Sequence, residues 1–342
     1  MRELLYKLLK TPSPSGAELN IQKLVIEEMK DVSDKVITHH NYNVINVINP
    51  DSPTKILLCG HIDEISLYIE KINNDGTCKL ARAGGIRPHM YAGHHVRVIN
   101  QRNEEIYGVI GYTPNMEKLK HTDLVLDLGT SSKEETEKLL SVGDPVVHVM
   151  NYTKLQNDFL AGRALDDKLG VYIVLESLRR SKERGATVGV YASSTVGEET
   201  TGRGARMAAQ VVNPTCAIAV DVSYATDMNY LEGLTGDTSL GKGPILTRGS
   251  IMNPKIHDKL LEHAKELGIN IQLDISTSRS FTDADDIYDR HFGIPTYLIS
   301  IPLRYMHSSV EVCSMKDVEE IIELITEFII KFDENMEFDP FK

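Results

Sequence analysis

Four short, nearly unbroken apolar runs constrain this chain more than any other feature: "KILLCGH" (55–61), "VGVYASST" (188–195), "CAIAVDVS" (216–223) and "TYLISI" (296–301). A strand that is apolar at consecutive positions has both faces covered, as in a parallel sheet lying between helices. Helical patterns fall between these runs, near 168–180, 203–211 and 255–266. The last helix, "DVEEIIELITEFII", lines up Val318, Ile321, Ile322, Ile325 and Ile329 on one side, with Ser314 as its cap. An earlier one, "SGAELNIQKLVIEEMK", has a capping-box pattern at Ser15 and Glu18 and an apolar stripe of Ile21, Leu24, Val25 and Met29. Strands alternating with helices predict an α/β fold with a mostly parallel sheet sandwiched by helices.

The alternation breaks near Ser66. "LYIEKINNDGTCKLAR" reads as a hairpin turning at Asn74, Asp75 and Gly76, and short strands follow until the helical "SKEETEKLL" at 132–140. This places a small β-rich domain at 67–155, inserted into a larger domain made of 1–66 and 156–342. A length of 342 residues suits that division.

Composition excludes some partners. A formal net charge of −12 repels phosphate, so a nucleic-acid partner is not expected. No run approaches the roughly 18 apolar residues of a membrane span. Cys59, Cys78, Cys216 and Cys313 are scattered without metal-binding spacing. Cys59 and Cys216 read as small core residues, and a reducing cytoplasm is the expected compartment.

Five polar points stand at or just beyond the apolar runs: His61 with Asp63, Asp166 with Asp167, Glu198 with Glu199, Asp221, and His307. The carboxyl ends of strands in an open α/β sheet converge on one crevice, so these distant segments are expected to meet there. Imidazoles mixed with carboxylates make a ligand set for zinc or a similar divalent ion. Charge counting favours two ions, balanced by three carboxylates and one hydroxide. Asp166 then bridges, His61 and Asp221 serve one ion, and Glu199 and His307 serve the other. Neighbouring side chains on an extended segment diverge, so Glu199 can ligate while Glu198 accepts a proton from water as general base. Asp63, two residues beyond His61, is placed to take the other ring N–H of that histidine and orient it.

Each point alone has an ordinary structural reading. An HxD can be a loop end, an EE pair a solvated helix face, and Asp166–Asp167 a helix cap. Asp221 can begin a turn, and His307 can be a satisfied loop histidine. The joint placement carries the functional reading. The pairs His39–His40 and His94–His95 lack such a setting and are expected at the surface or an interface.

"GHIDEIS", "GRALDDKLG", "TVGEETTGRGA", "AIAVDVS" and "RYMHSSVEV" together resemble, in order and spacing, the motifs of the tetrahedral aminopeptidases of metallopeptidase family forty-two. The resemblance spans nearly the whole chain. It implies an exopeptidase with two zinc or cobalt ions per subunit, hydrolysing N-terminal residues from peptides. The implied fold is the cocatalytic zinc peptidase fold with an inserted, β-barrel-like dimerisation domain, and the implied assembly runs through dimers to a tetrahedral dodecamer. Matched residue by residue, the ligands are His61, Asp166, Glu199, Asp221 and His307, with Glu198 as base and Asp63 in support. A cis peptide between Asp166 and Asp167 is implied as well. The chain departs from the pattern at Ser66, at Gly197, and at Ser280 and Phe281 before "TDA", the last two bearing on the substrate pocket.

Two other readings use the same residues. Glu198 and Glu199 as the carboxylate pair of a glycosidase would need a separation of roughly 5 to 9.5 Å, and this leaves the histidines and Asp221 idle. A metal-containing assembly protein without turnover would have no use for Glu198.

Overall fold

The computed structural model describes residues 2–112, 118–228, 236–339 and 341. Two amphipathic helices open the chain, α1 (Glu3–Lys10) and α2 (Leu19–Met29), and bury Leu4, Leu5, Leu8, Leu9, Ile21, Val25 and Met29. Leu24 is only partly covered. The capping box expected at Ser15 does not form. Ser15 gives its hydroxyl proton to Asp63 Oδ2 at 2.5 Å, and the Glu18 carboxylate accepts the Gly16 N–H at 2.8 Å. A buried carboxylate is the stronger acceptor, so it draws the serine away from the helix end.

Strands β1 (Lys35–Thr38), β2 (Val44–Ile48) and β3 (Lys55–His61) begin the main sheet. The chain then leaves it for six strands, β4 (Ser66–Ile72), β5 (Cys78–Ala83), β6 (His95–Ile99), β7 (Glu105–Ile110), β8 (Val125–Asp127) and β9 (Pro145–His148). These close a barrel in the order β4-β5-β8-β7-β6-β9. Its core is Leu67, Ile69, Leu80, Val96, Val98, Leu126 and Val146. The β4–β5 hairpin turns at Asn73–Thr77, with Gly76 at φ 91°. Helix α3 (Lys133–Glu137) ends before the residue 140 expected for it, and is capped by Ser132.

Two short strands, β10 (Tyr152–Lys154) and β11 (Phe159–Gly162), precede α4 (Leu165–Glu183). The alternation then resumes with β12 (Gly189–Thr195), α5 (Arg203–Val212), β13 (Cys216–Tyr224), β14 (Ile245–Gly249), α6 (Pro254–Leu267), β15 (Gln272–Ser276), α7 (Asp283–Ile287) and β16 (Thr296–Leu303). The chain closes with β17 (Glu311–Ser314) and α8 (Met315–Ile330). The main sheet has eight strands in the order β1-β2-β12-β3-β13-β16-β14-β15. Its central strands β12, β3, β13 and β16 are all parallel. β10, β11 and β17 form a small separate sheet.

Alternate residues of β3 serve opposite cores. Ile56 and Leu58 pack with α1, α2, α4 and α8, while Leu57 and Cys59 pack with Ala205, Ala208 and Val212 of α5. That two-sided burial is why the run is apolar without a break. All four cysteines are buried and unpaired. In α8 the five expected apolar residues are buried, but Ser314 makes no side-chain cap. Asp317 instead reaches back to the N–H groups of Gly241 and Gly243. Among the described residues, no helix is long and apolar enough to cross a membrane.

Candidate active site

The parallel strands deliver their polar ends to one place. His61 is the last residue of β3 and pairs in register with Thr195, the last residue of β12. Asp221 lies near the end of β13. After Thr195 the chain turns through Gly197, at φ 69°, which swings Glu198 and Glu199 over the sheet end. Asp166 and Asp167 enter α4 with non-helical backbone angles and are joined by a cis peptide. His307 follows β16 at φ 63°.

Asp166 lies between the two histidines. Its Oδ1 is 3.0 Å from His61 Nε2 and its Oδ2 is 3.2 Å from His307 Nε2. Asp221 Oδ1 is 3.9 Å from His61 Nε2, and Glu199 Oε2 is 3.8 Å from His307 Nε2. Two triads result, His61–Asp166–Asp221 and Asp166–Glu199–His307, in each of which one ligand atom per residue lies within 4.8 Å of the others. Glu198 belongs to neither; its Oε2 is 3.9 Å from His61 Nε2.

The charge is out of balance. Burial, reinforced by the neighbouring carboxylates, lifts Glu198 to about 9 and raises Glu199 and Asp221 well above the usual range. Burial works against the charge of Asp166 too, but hydrogen bonds from His307 and His61 outweigh it and hold this carboxyl low. The cations around the cluster are engaged elsewhere: Lys168 and Arg163 pair with Glu64, and Arg206 and Arg279 on the cleft wall pair with Asp286 and Asp285. Four carboxylates crowded out of water with only two imidazoles against them are costly unless a cation joins them. The donor chemistry, imidazole nitrogen plus carboxylate oxygen, fits divalent ions such as zinc.

Asp63 is used differently from the expectation. The Nδ1 of His61 faces the main-chain oxygen of Asp63 at 3.1 Å, while the carboxylate Oδ1 stands 3.6 Å away. That carboxylate instead takes the backbone N–H groups of Glu198 (3.0 Å) and Glu199 (3.3 Å), together with the Ser15 hydroxyl. It holds the turn that carries the glutamate pair.

Three further buried acids support the site: Glu311 and Asp283, to which the sequence assigns no role, and Asp167, which it offers only as the neighbour of Asp166 and a helix cap. Glu311 accepts the N–H of Asp166 at 3.2 Å and that of His307 at 2.8 Å, tying together segments far apart in sequence. Asp167 accepts the N–H of His61 at 3.1 Å and of Gly170 at 3.0 Å. Asp283 accepts the Thr195 hydroxyl at 2.5 Å. Glu311 sits inside "RYMHSSVEV", but bonds to distant backbone leave no mark in spacing or composition.

All six acid and histidine side chains of this cluster line one cleft of about 650 Å³, shared with Thr200, Arg206, Tyr224, Ser280, Phe281 and Met306. Phe281 stands 77% exposed at its rim with φ 56°. His94 and His95 are exposed on the barrel and belong to neither triad; the His94 ring meets His148 edge-on at 5.2 Å between centroids.

A family model described as M42 glutamyl aminopeptidase matches residues 43–324. The chain is 32% identical to the lysyl aminopeptidase of Pyrococcus furiosus, covering 99% of both sequences. A TET aminopeptidase from a marine sediment thaumarchaeote superposes with a TM-score of 0.90 at 30% identity, over 97% of each chain. The TET1 peptidase of Pyrococcus horikoshii, described as assembling into a tetrahedron or a large octahedral shell, gives 0.86 at 30% identity, over 96% of this chain and 99% of its own.

Proposed function

The chain belongs to the M42 glutamyl aminopeptidase family, and from that premise we propose that it is a dinuclear metal-dependent aminopeptidase removing N-terminal residues from peptides. The observation that carries this reading is the pair of triads sharing Asp166. His61, Asp166 and Asp221 would hold one ion, and Asp166, Glu199 and His307 the other. Two divalent ions, zinc or cobalt, would supply Lewis-acid activation of water and stabilise negative charge on the peptide oxygen.

The residues of the chain do the rest. Glu198 is the general base: its Oε2 stands 3.9 Å from His61 Nε2, at the edge of the cluster, and it belongs to neither triad. It takes a proton from the attacking water and passes it to the leaving amine. Asp63 fixes Glu198 by its backbone N–H, and His61 is held through its Nδ1 by the Asp63 carbonyl. The carboxylates around the cleft attract the free α-ammonium group of a peptide. A glycosidase built on Glu198 and Glu199 gives no reason for His61 and His307 to close on Asp166 from both sides.

We assign the insertion expected at 67–155 as a dimerisation domain within a catalytic domain of 1–66 and 156–342; its barrel strands run from Ser66 to His148, while Tyr152–Lys154 pairs with β11 in the small sheet instead. Similarity to shell-forming TET peptidases supports assembly through dimers to a tetrahedral dodecamer. Four buried, unpaired thiols suit a cytoplasmic setting. The deciding experiment is hydrolysis of aminoacyl-anilides with acidic, basic and aliphatic N-terminal residues, before and after chelation and with zinc or cobalt restored. Activity that survives complete removal of metal overturns the proposal.

A further inference from the structure

A second, much smaller cavity, of about 20 Å³, lies where the barrel meets the catalytic sheet. Tyr91 and His148 reach it from the barrel, and Arg163, Glu199 and Glu311 from the other side. Among the described residues, four polar atoms on its lining have no protein hydrogen-bond partner: both ring nitrogens of His148, Nε of Arg163 and Oε1 of Glu199. All are deeply covered, His148 at 5% and Arg163 at 3% exposure, with the Glu199 side chain at 7%. A buried group left bare costs about 1–3 kcal/mol, so four around one cavity call for an occupant.

Size and chemistry identify it. A space of about 10–15 Å³ accepts one water, and buried waters typically make about three hydrogen bonds. Arg163 Nε–H can only donate, and Glu199 Oε1 only accepts once the group is ionised, as a metal ligand must be. Burial pushes His148 down to about 3, so its ring is neutral and offers one donor and one acceptor. In either tautomer, one water with two protons and two lone pairs bonds Arg163, His148 and Glu199 together. The partners are held still. His148 stacks on Tyr91 at 4.0 Å between centroids, and Arg163 is clamped by Glu64 and by the Leu9 carbonyl at 3.3 Å.

We propose that this cavity is a water site through which His148, a residue of the barrel, positions Glu199 at the catalytic cluster. The water site stands on the cavity and its lining alone; its effect on metal rests on the reading of Glu199 as a ligand. His148 is thus a positioning residue. Ligand-supporting contacts of this kind are worth about 10–100-fold in metal affinity.

The test pairs a high-resolution crystal structure of the full chain with zinc affinities, measured by chelator competition, for the parent, His148→Phe and His148→Gln. Phenylalanine keeps the stacking on Tyr91 and removes both nitrogens; glutamine keeps a donor and an acceptor. The expected result is a water within hydrogen-bond distance of His148, Arg163 Nε and Glu199 Oε1. His148→Phe should lose it and bind one of its two zinc ions about 10-fold more weakly or worse, with His148→Gln nearer the parent. A dry cavity in the parent, or His148→Phe with unaltered zinc affinity, overturns the proposal. A parent that binds no zinc defeats the metallopeptidase reading instead, and the electron density still decides the water.

Discussion

Glu198 and Glu199 are adjacent in sequence, and under the proposed function their duties are separate: Glu199 lies in one of the two triads and Glu198 in neither. Replacing Glu198 by Gln removes the proton acceptor and keeps the shape. The expected outcome is a fall in kcat of about 10²–10⁴-fold, with metal content by elemental analysis unchanged. Glu198 also gives the metal-free chain a distinctive pH dependence. A carboxyl whose value rises on folding contributes stability below its unfolded value, near 4.5, and this is lost as pH climbs through the folded value, here about 9. Glu199 and Asp221 are raised in the same direction. The unfolding temperature of the chelated protein should therefore drop between pH about 5.5 and about 9. Glu198→Gln should flatten that slope, and saturating zinc should abolish it. A chelated protein equally stable across this range contradicts the charge imbalance described here.

At the scale of elements, the site depends on how closely β3 lies against α4. A Cβ on Gly60 would meet the Gly170 carbonyl carbon at 2.5 Å and the Val171 nitrogen at 2.6 Å. Backbone cannot yield as a side-chain tip can. Gly60→Ala should cost about 1–3 kcal/mol or more in unfolding free energy, and weaken zinc binding because His61 is the next residue. Gly111→Ala, with open space around its Cβ position, is the control and should be neutral in the same denaturant titration. The central strands and most of the long helices were legible in sequence because burial on two faces forces apolar runs, and the polar residues that end those runs mark the crevice. Less legible were the competitions. Ser15 and Ser314 have cap signatures, yet Ser15 bonds Asp63 and Ser314 makes no side-chain cap, because a local motif cannot register partners brought in by the fold. Glu311 escaped notice, and Asp167 was legible only as a neighbour of Asp166, for a related reason: both bind main-chain N–H groups, which every residue but proline offers.

For the whole molecule, light scattering during size-exclusion chromatography should show a discrete particle of many copies, a dodecamer on the present reading; a monomer at micromolar concentration would contradict it. Under the water-site proposal the barrel has a second task, since His148 then steadies the chemistry from outside the catalytic sheet. The cluster is gathered from positions as far apart as 61 and 307, with Asp166 and Asp221 between them. A partly synthesised chain on the ribosome therefore lacks an essential component until nearly its last segment has emerged. Under the proposed function, hydrolysis cannot begin before the segment carrying His307 has folded back onto the sheet.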